Sequence, residues 1–86
     1  MTMFSQVESI VSMQHTDGRN ASYILELKYD AVKCRYNVIA TYGRIGTALK
    51  VSKIGGFDGL EDARKFFHKK MKQQIGKGYK IIISRL

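Results

Sequence analysis

Tyr36-Asn37-Val38-Ile39-Ala40-Thr41-Tyr42-Gly43-Arg44-Ile45-Gly46-Thr47 reads as a strand that runs into a glycine-arginine corner. Cys34, Tyr36, Val38, Ala40 and Tyr42 fall on one face, and Arg35, Asn37, Ile39 and Thr41 on the other. That alternation is the mark of a half-buried strand. Gly43 and Gly46 then loosen the backbone. At the corner a planar ring stands beside a guanidinium, a surface to stack on next to a fork that grips phosphate. These are two parts of a nucleic-acid site.

Upstream, residues 4–13 alternate loosely (Phe4, Val7, Ile10, Val11, Met13) and predict a first strand. His15 to Asn20 is a turn cluster in which Asp17-Gly18 supplies a positive φ. From 21 to 29 the alternation is clean, with Tyr23, Leu25, Leu27 and Tyr29 opposite Ile24, Glu26 and Lys28. Asp30 to Lys33 makes a hairpin loop.

Downstream, residues 47–54 predict a fourth strand with Leu49 and Val51 inward, Lys50 and Ser52 outward. Gly55-Gly56-Phe57 punctuates the change to helix, and Asp58 followed by Glu61 resembles a capping box. Leu60, Ala63, Phe66, Phe67, Met71 and Ile75 recur at helical spacing as one apolar stripe. Gly76 or Gly78 ends the helix, and Tyr79 to Ser84 has the β-branched content of a last short strand. Turns this short make successive strands antiparallel neighbours. The expected architecture is α+β: a small antiparallel sheet of four to five strands with one long helix across one face.

With 86 residues, 44% of them hydrophobic, the chain fits one domain spanning 1–86 rather than a disordered basic tail. Its charge is unevenly placed. Before Arg44, four basic side chains (Arg19, Lys28, Lys33, Arg35) are matched by four acids. From Arg44 onward eleven basic side chains face only Asp58, Glu61 and Asp62, so this half carries the whole net +8. A localised field of that sign favours a polyanion, nucleic acid before an anionic membrane, and a solvated basic surface is the plain alternative.

Cys34 is the only cysteine, which leaves no intramolecular disulfide and no cysteine-based zinc site. It implies a reducing compartment, and its alternation with core positions predicts a small buried hydrophobe. His15 and His68 lack ligand spacing, so no metal is expected. No segment approaches a membrane span, and Met1 to Gln6 lacks the pattern of a leader. The expectation is an intracellular protein: cytoplasm or nucleoid in a bacterium, nucleus in a eukaryote. No nucleophile-base constellation or acid pair is legible, so neither an enzyme, a cofactor nor a small-molecule substrate is expected.

Three segments resemble one family. Asn20-Ala21-Ser22-Tyr23-Ile24-Leu25-Glu26-Leu27 is similar to the strand opening of the WGR domain. Thr41-Tyr42-Gly43-Arg44-Ile45-Gly46-Thr47 resembles its signature, with tyrosine in the tryptophan position. Glu61-Asp62-Ala63-Arg64-Lys65-Phe66-Phe67, running to Ile75-Gly76-Lys77-Gly78-Tyr79, resembles its helix and terminal element. The resemblance spans about residues 15–80. The module occurs in DNA-damage-dependent poly(ADP-ribose) polymerases and in short stand-alone bacterial proteins.

The resemblance implies binding to DNA ends or strand breaks, with a 5′-phosphorylated terminus as a preferred feature. It implies that Tyr42 stacks on the terminal nucleotide and that Arg44 contacts phosphate or sugar. Asn20 would be a polar contact beside them, with Lys77 and Tyr79 at the rim. The smaller ring of tyrosine gives a smaller stacking face than tryptophan, and ADP-ribosylation does not follow from the domain alone.

Other readings stay open residue by residue. Tyr42 shares its face with Tyr36 and Val38, so packing competes with stacking. Gly43 serves a ligand indirectly, by letting backbone approach it. Lys50 and Lys53 suit phosphate contacts or edge-strand protection, and the helix lysines suit a solvated face. Two other functions are also open. One is a protein-interaction module that docks an acidic partner or self-associates at an edge. The other is single-stranded nucleic acid or RNA binding through the sheet, with Tyr23, Tyr36 or Tyr42 stacking bases.

Overall fold

A computed structural model of the chain describes residues 5–18 and 20–86. Phe4 of the expected first strand and Arg19 of the expected turn lie outside the described residues. The elements follow in the order β1 (Ser5–His15), β2 (Ala21–Asp30), β3 (Arg35–Arg44), β4 (Lys50–Phe57), α1 (Leu60–Gly76) and β5 (Lys80–Arg85). They form one antiparallel sheet in the spatial order β4-β3-β2-β1-β5. The first four strands are the expected meander, and β5 returns to close the β1 edge. Helix α1 lies across one face, against β2, β3 and β4.

Period-two alternation decides what each face carries. Leu25 and Leu27 stand opposite Ala40 and Val38, with Val11 beside Leu25 and Met13 next along β1. All are buried, and Ala63, Phe67 and Met71 of α1 close over them. Burial of such side chains is worth about 1.5–3 kcal/mol each for the larger ones. The four strand tyrosines share this face, Tyr23 opposite Tyr42 and Tyr29 opposite Tyr36.

Several local expectations are corrected. The 30–33 turn forms, with the Asp30 carboxylate accepting from the N–H groups of Val32 (3.0 Å) and Lys33 (3.2 Å). Cys34 completes that turn at φ 53° and is exposed rather than buried, because β3 begins one residue later. Strand β4 starts at Lys50, not 47, and its phase is shifted by one. Val51 pairs with Thr41 on the face away from α1 and is 71% exposed, while Ser52 pairs with Ala40 on the helix side.

Gly55, Gly56 and Phe57 belong to β4, where they pair with Val38, Asn37 and Tyr36. A Cβ on Gly55 would come within 2.8 Å of the Phe57 ring and 3.0 Å of the Phe66 ring, so this glycine marks close packing inside a strand rather than its end. The capping box does not form. The N-cap is Gly59 with no side-chain cap, and Asp58 instead pairs with Arg35 at 3.5 Å.

On α1, Gln74 is buried where Ile75 was expected, and Ile75 is 42% exposed. At about 3.6 residues per turn, position 74 falls close to whole turns from both Ala63 and Phe67, and position 75 overshoots. The helix ends at Gly76. Gly78 takes φ 105°, and its N–H and that of Tyr79 return to the carbonyls of Ile75 (3.0 Å) and Gln74 (3.1 Å). That reversal folds Tyr79 into the core before β5 begins.

Candidate nucleic-acid interface

The chain brings three ends together at one end of the sheet: the start of β2, the end of β3 and the C-terminus of α1. The Asn20 carbonyl accepts the N–H of Ile45 at 2.8 Å, which ties the turn before β2 to the glycine-arginine corner. Asn20 itself is exposed in the left-handed region at φ 49°. The corner is closed by Thr47, whose hydroxyl and N–H both donate to the Arg44 carbonyl, at 2.7 and 3.1 Å. Arg44 pairs across the strands with Ala21 and is exposed.

Tyr42 lies near-parallel to Tyr23, ring centroids 5.9 Å apart and planes 22° from one another, and remains 37% exposed. One side of the ring is therefore backed by Tyr23 and part of it faces solvent. Lys50 is the cross-strand partner of Tyr42. Gly43 sits where a Cβ would approach Leu49 Cδ2 to 3.1 Å, so its bareness lets the 44–49 loop fold close against the strand.

Across from these residues the C-terminus of α1 presents Gln74, Lys77 and Tyr79. Together with Ala21, Tyr23, Tyr42, Gly43 and Ile54 they line a concavity of about 430 Å³. Tyr79 is a wall of this concavity rather than its rim. It is buried, with its ring edge-on to Tyr23 at 5.9 Å and to His15 at 5.5 Å. Lys77 caps the helix through its N–H and is exposed.

Burial, then the neighbouring phenols of Tyr42 and Tyr79, push the Tyr23 hydroxyl above its ordinary value of 10.0. These phenols stay protonated at neutral pH and can donate hydrogen bonds to an anion. Among the described residues Arg44, Lys50 and Lys77 form no ion pair, so their charge is available to a ligand.

Of the residues singled out in the sequence, Asn20, Tyr42, Gly43, Arg44, Lys50, Lys77 and Tyr79 therefore gather at this end. Lys53 does not. It pairs with Ile39 on the opposite face, beside Arg35 and Gly56. Sequence reasoning missed Tyr23, Gln74 and Ile54 as lining residues. Tyr23 was recoverable from the β2–β3 hairpin register, which sets it opposite Tyr42. Gln74 was recoverable from strict helical spacing.

No group of histidine, cysteine or carboxylate residues suited to a metal occurs among the described residues, and no described helix is long and apolar enough to cross a membrane. Comparison with the curated proteins and with the solved structures gives no match. The family comparison is decisive: residues 9–84 match the WGR domain, nearly the whole chain and every segment that builds the concavity. The chain belongs to the WGR domain family, a family of nucleic-acid-binding modules.

Proposed function

We propose that this chain is a non-enzymatic DNA-binding module that recognises DNA ends or strand breaks with little sequence preference. One observation carries the reading: a half-offered tyrosine ring, three unpaired cations and an exposed asparagine converge on one concavity at the end of the sheet. An intact duplex hides the faces of its bases, whereas a terminus exposes one. A ring backed by Tyr23 offers that terminal base a platform, and stacking of this kind is worth about 1–3 kcal/mol per base.

Arg44, Lys50 and Lys77 suit the phosphates on either side of the stacked nucleotide, and a terminal 5′-phosphate adds charge where they meet. Phosphate contacts position a protein without reading sequence. Single-stranded binding across the sheet is less well supported, because all four strand tyrosines lie on the face that α1 covers.

The test is a titration of one labelled duplex in three forms: with a 5′-phosphate, with a 5′-hydroxyl, and with both ends closed by hairpins. The reading expects affinity to fall in that order. Equal affinity for all three rejects end recognition while leaving DNA binding intact.

A further inference from the structure

The sheet has a second face that no described element covers. Register places two rows of side chains on it. One runs Ile83, Ser12, Ile24, Thr41, Val51 across all five strands, and the next runs Arg85, Ile10, Glu26, Ile39, Lys53. Ile24, Ile39 and Ile10 are half-buried among their neighbours, while Val51 and Ile83 are 71% and 61% exposed. The chain as a whole exposes 5806 Å², against about 5,200 Å² for a compact monomer of its mass. An uncovered sheet face is where such an excess arises.

The charge on this face is one-sided. Glu26 is matched by Lys28 at 3.8 Å and Arg35 by Asp58 at 3.5 Å. Lys53 and Arg85 have no ion-pair partner among the described residues, and they stand at opposite ends of the second row. Four strand spacings separate them, about 19 Å. The pattern is an apolar strip with a cation at each end.

Three occupants compete for it. A second copy stacked on a two-fold axis sets Lys53 or Arg85 against Lys53 or Arg85, like charge on like in every register. Nucleic acid would lay its phosphates over isoleucine, on a face that holds no aromatic ring for a base. A segment with an apolar stripe and carboxylates at both ends satisfies both features.

We propose that this face docks an acidic amphipathic helix of a protein partner, about 13 residues long to span the strip. Because it lies opposite the Tyr42 concavity, the partner and DNA are held at once.

The probe is a fluorescein-labelled 15-residue peptide with a leucine stripe and glutamates at both ends. It is compared with a scrambled isomer and with a lysine-for-glutamate version, each titrated into the full chain. The patterned acidic peptide is expected to bind, and the other two at least tenfold more weakly. Val51→Glu combined with Ile83→Glu, both at exposed positions, is expected to abolish peptide binding and leave DNA-end affinity unchanged. Arg85→Glu is expected to weaken the acidic peptide and strengthen the lysine version. Methyl NMR shifts on peptide addition are expected at Ile10, Ile24, Ile39 and Ile83.

Failure of the patterned peptide to bind, or equal binding by its scrambled isomer, overturns the proposal. So does a concentration-dependent dimer in sedimentation that the double variant disperses, since a second copy is then the occupant. Movement of the same methyls by duplex DNA, but not by peptide, assigns the face to nucleic acid and likewise overturns it.

Discussion

Tyr42 and Arg44 sit two residues apart on the same face of β3, so the strand delivers ring and guanidinium to one place. Their contributions separate in measurement. Tyr42→Ala is expected to weaken binding to a duplex end by about 1–3 kcal/mol, the worth of one stacked base, with little change in the salt dependence. Arg44→Ala is expected to weaken binding to ends of any sequence alike. It should also reduce the slope of log K against log salt by about one, as the loss of one phosphate contact requires. A titration series in salt distinguishes the two. Both residues were legible from the sequence because the alternation before Gly43 fixes their face. The backing of Tyr42 by Tyr23 was not, since it depends on which residues pair across the hairpin.

The junction of β1, β2 and the C-terminus of α1 holds the concavity in shape. Gly78 is its tightest point: φ is 105°, and a Cβ there would lie 2.6 Å from His15 Nε2. Gly78→Ala is expected to cost about 1–3 kcal/mol in backbone strain alone, measured by urea denaturation, and to weaken DNA binding by displacing Tyr79. Tyr23 adds a pH dependence at the same junction. Its folded pKa is raised above 10.0 by burial and by its phenol neighbours. The unfolded chain therefore gives up this proton first. The contribution to stability is complete below about pH 10 and is lost as pH rises through the folded value. Denaturation midpoints between neutral and strongly alkaline pH should fall less steeply for Tyr23→Phe than for the parent chain.

The elements themselves were largely readable, because strict alternation in residues 21–29 and helical spacing from Leu60 leave little choice of period. The misreadings share one cause. Gly55 and Gly56 look like punctuation, yet they make room for the rings of Phe57 and Phe66, a long-range packing demand that no local signal carries. The phase of β4 depended on where the 44–49 loop stops, and Gly43 and Leu49 settle that by contact. Cys34 and Asp58 were assigned by local pattern. The turn claimed the first, and Arg35, distant in sequence, claimed the second.

At the scale of the whole molecule, a thin two-layer domain presents two unlike faces and an edge-on site. The net +8 comes from the chain beyond the glycine-arginine corner, including the exposed Arg64, Lys65, Lys69 and Lys72 of α1. This field extends beyond the concavity and gives any duplex a sequence-independent, salt-sensitive attraction. End recognition has to emerge above that background. The most direct measurement is therefore competition against a labelled DNA end by one circular plasmid in two forms, covalently closed and singly nicked, at matched nucleotide concentration. Charge is the same in both, so only the exposed strand terminus differs. The account predicts that the nicked circle competes more strongly and that the difference disappears in Tyr42→Ala. Equal competition by the closed circle would contradict it.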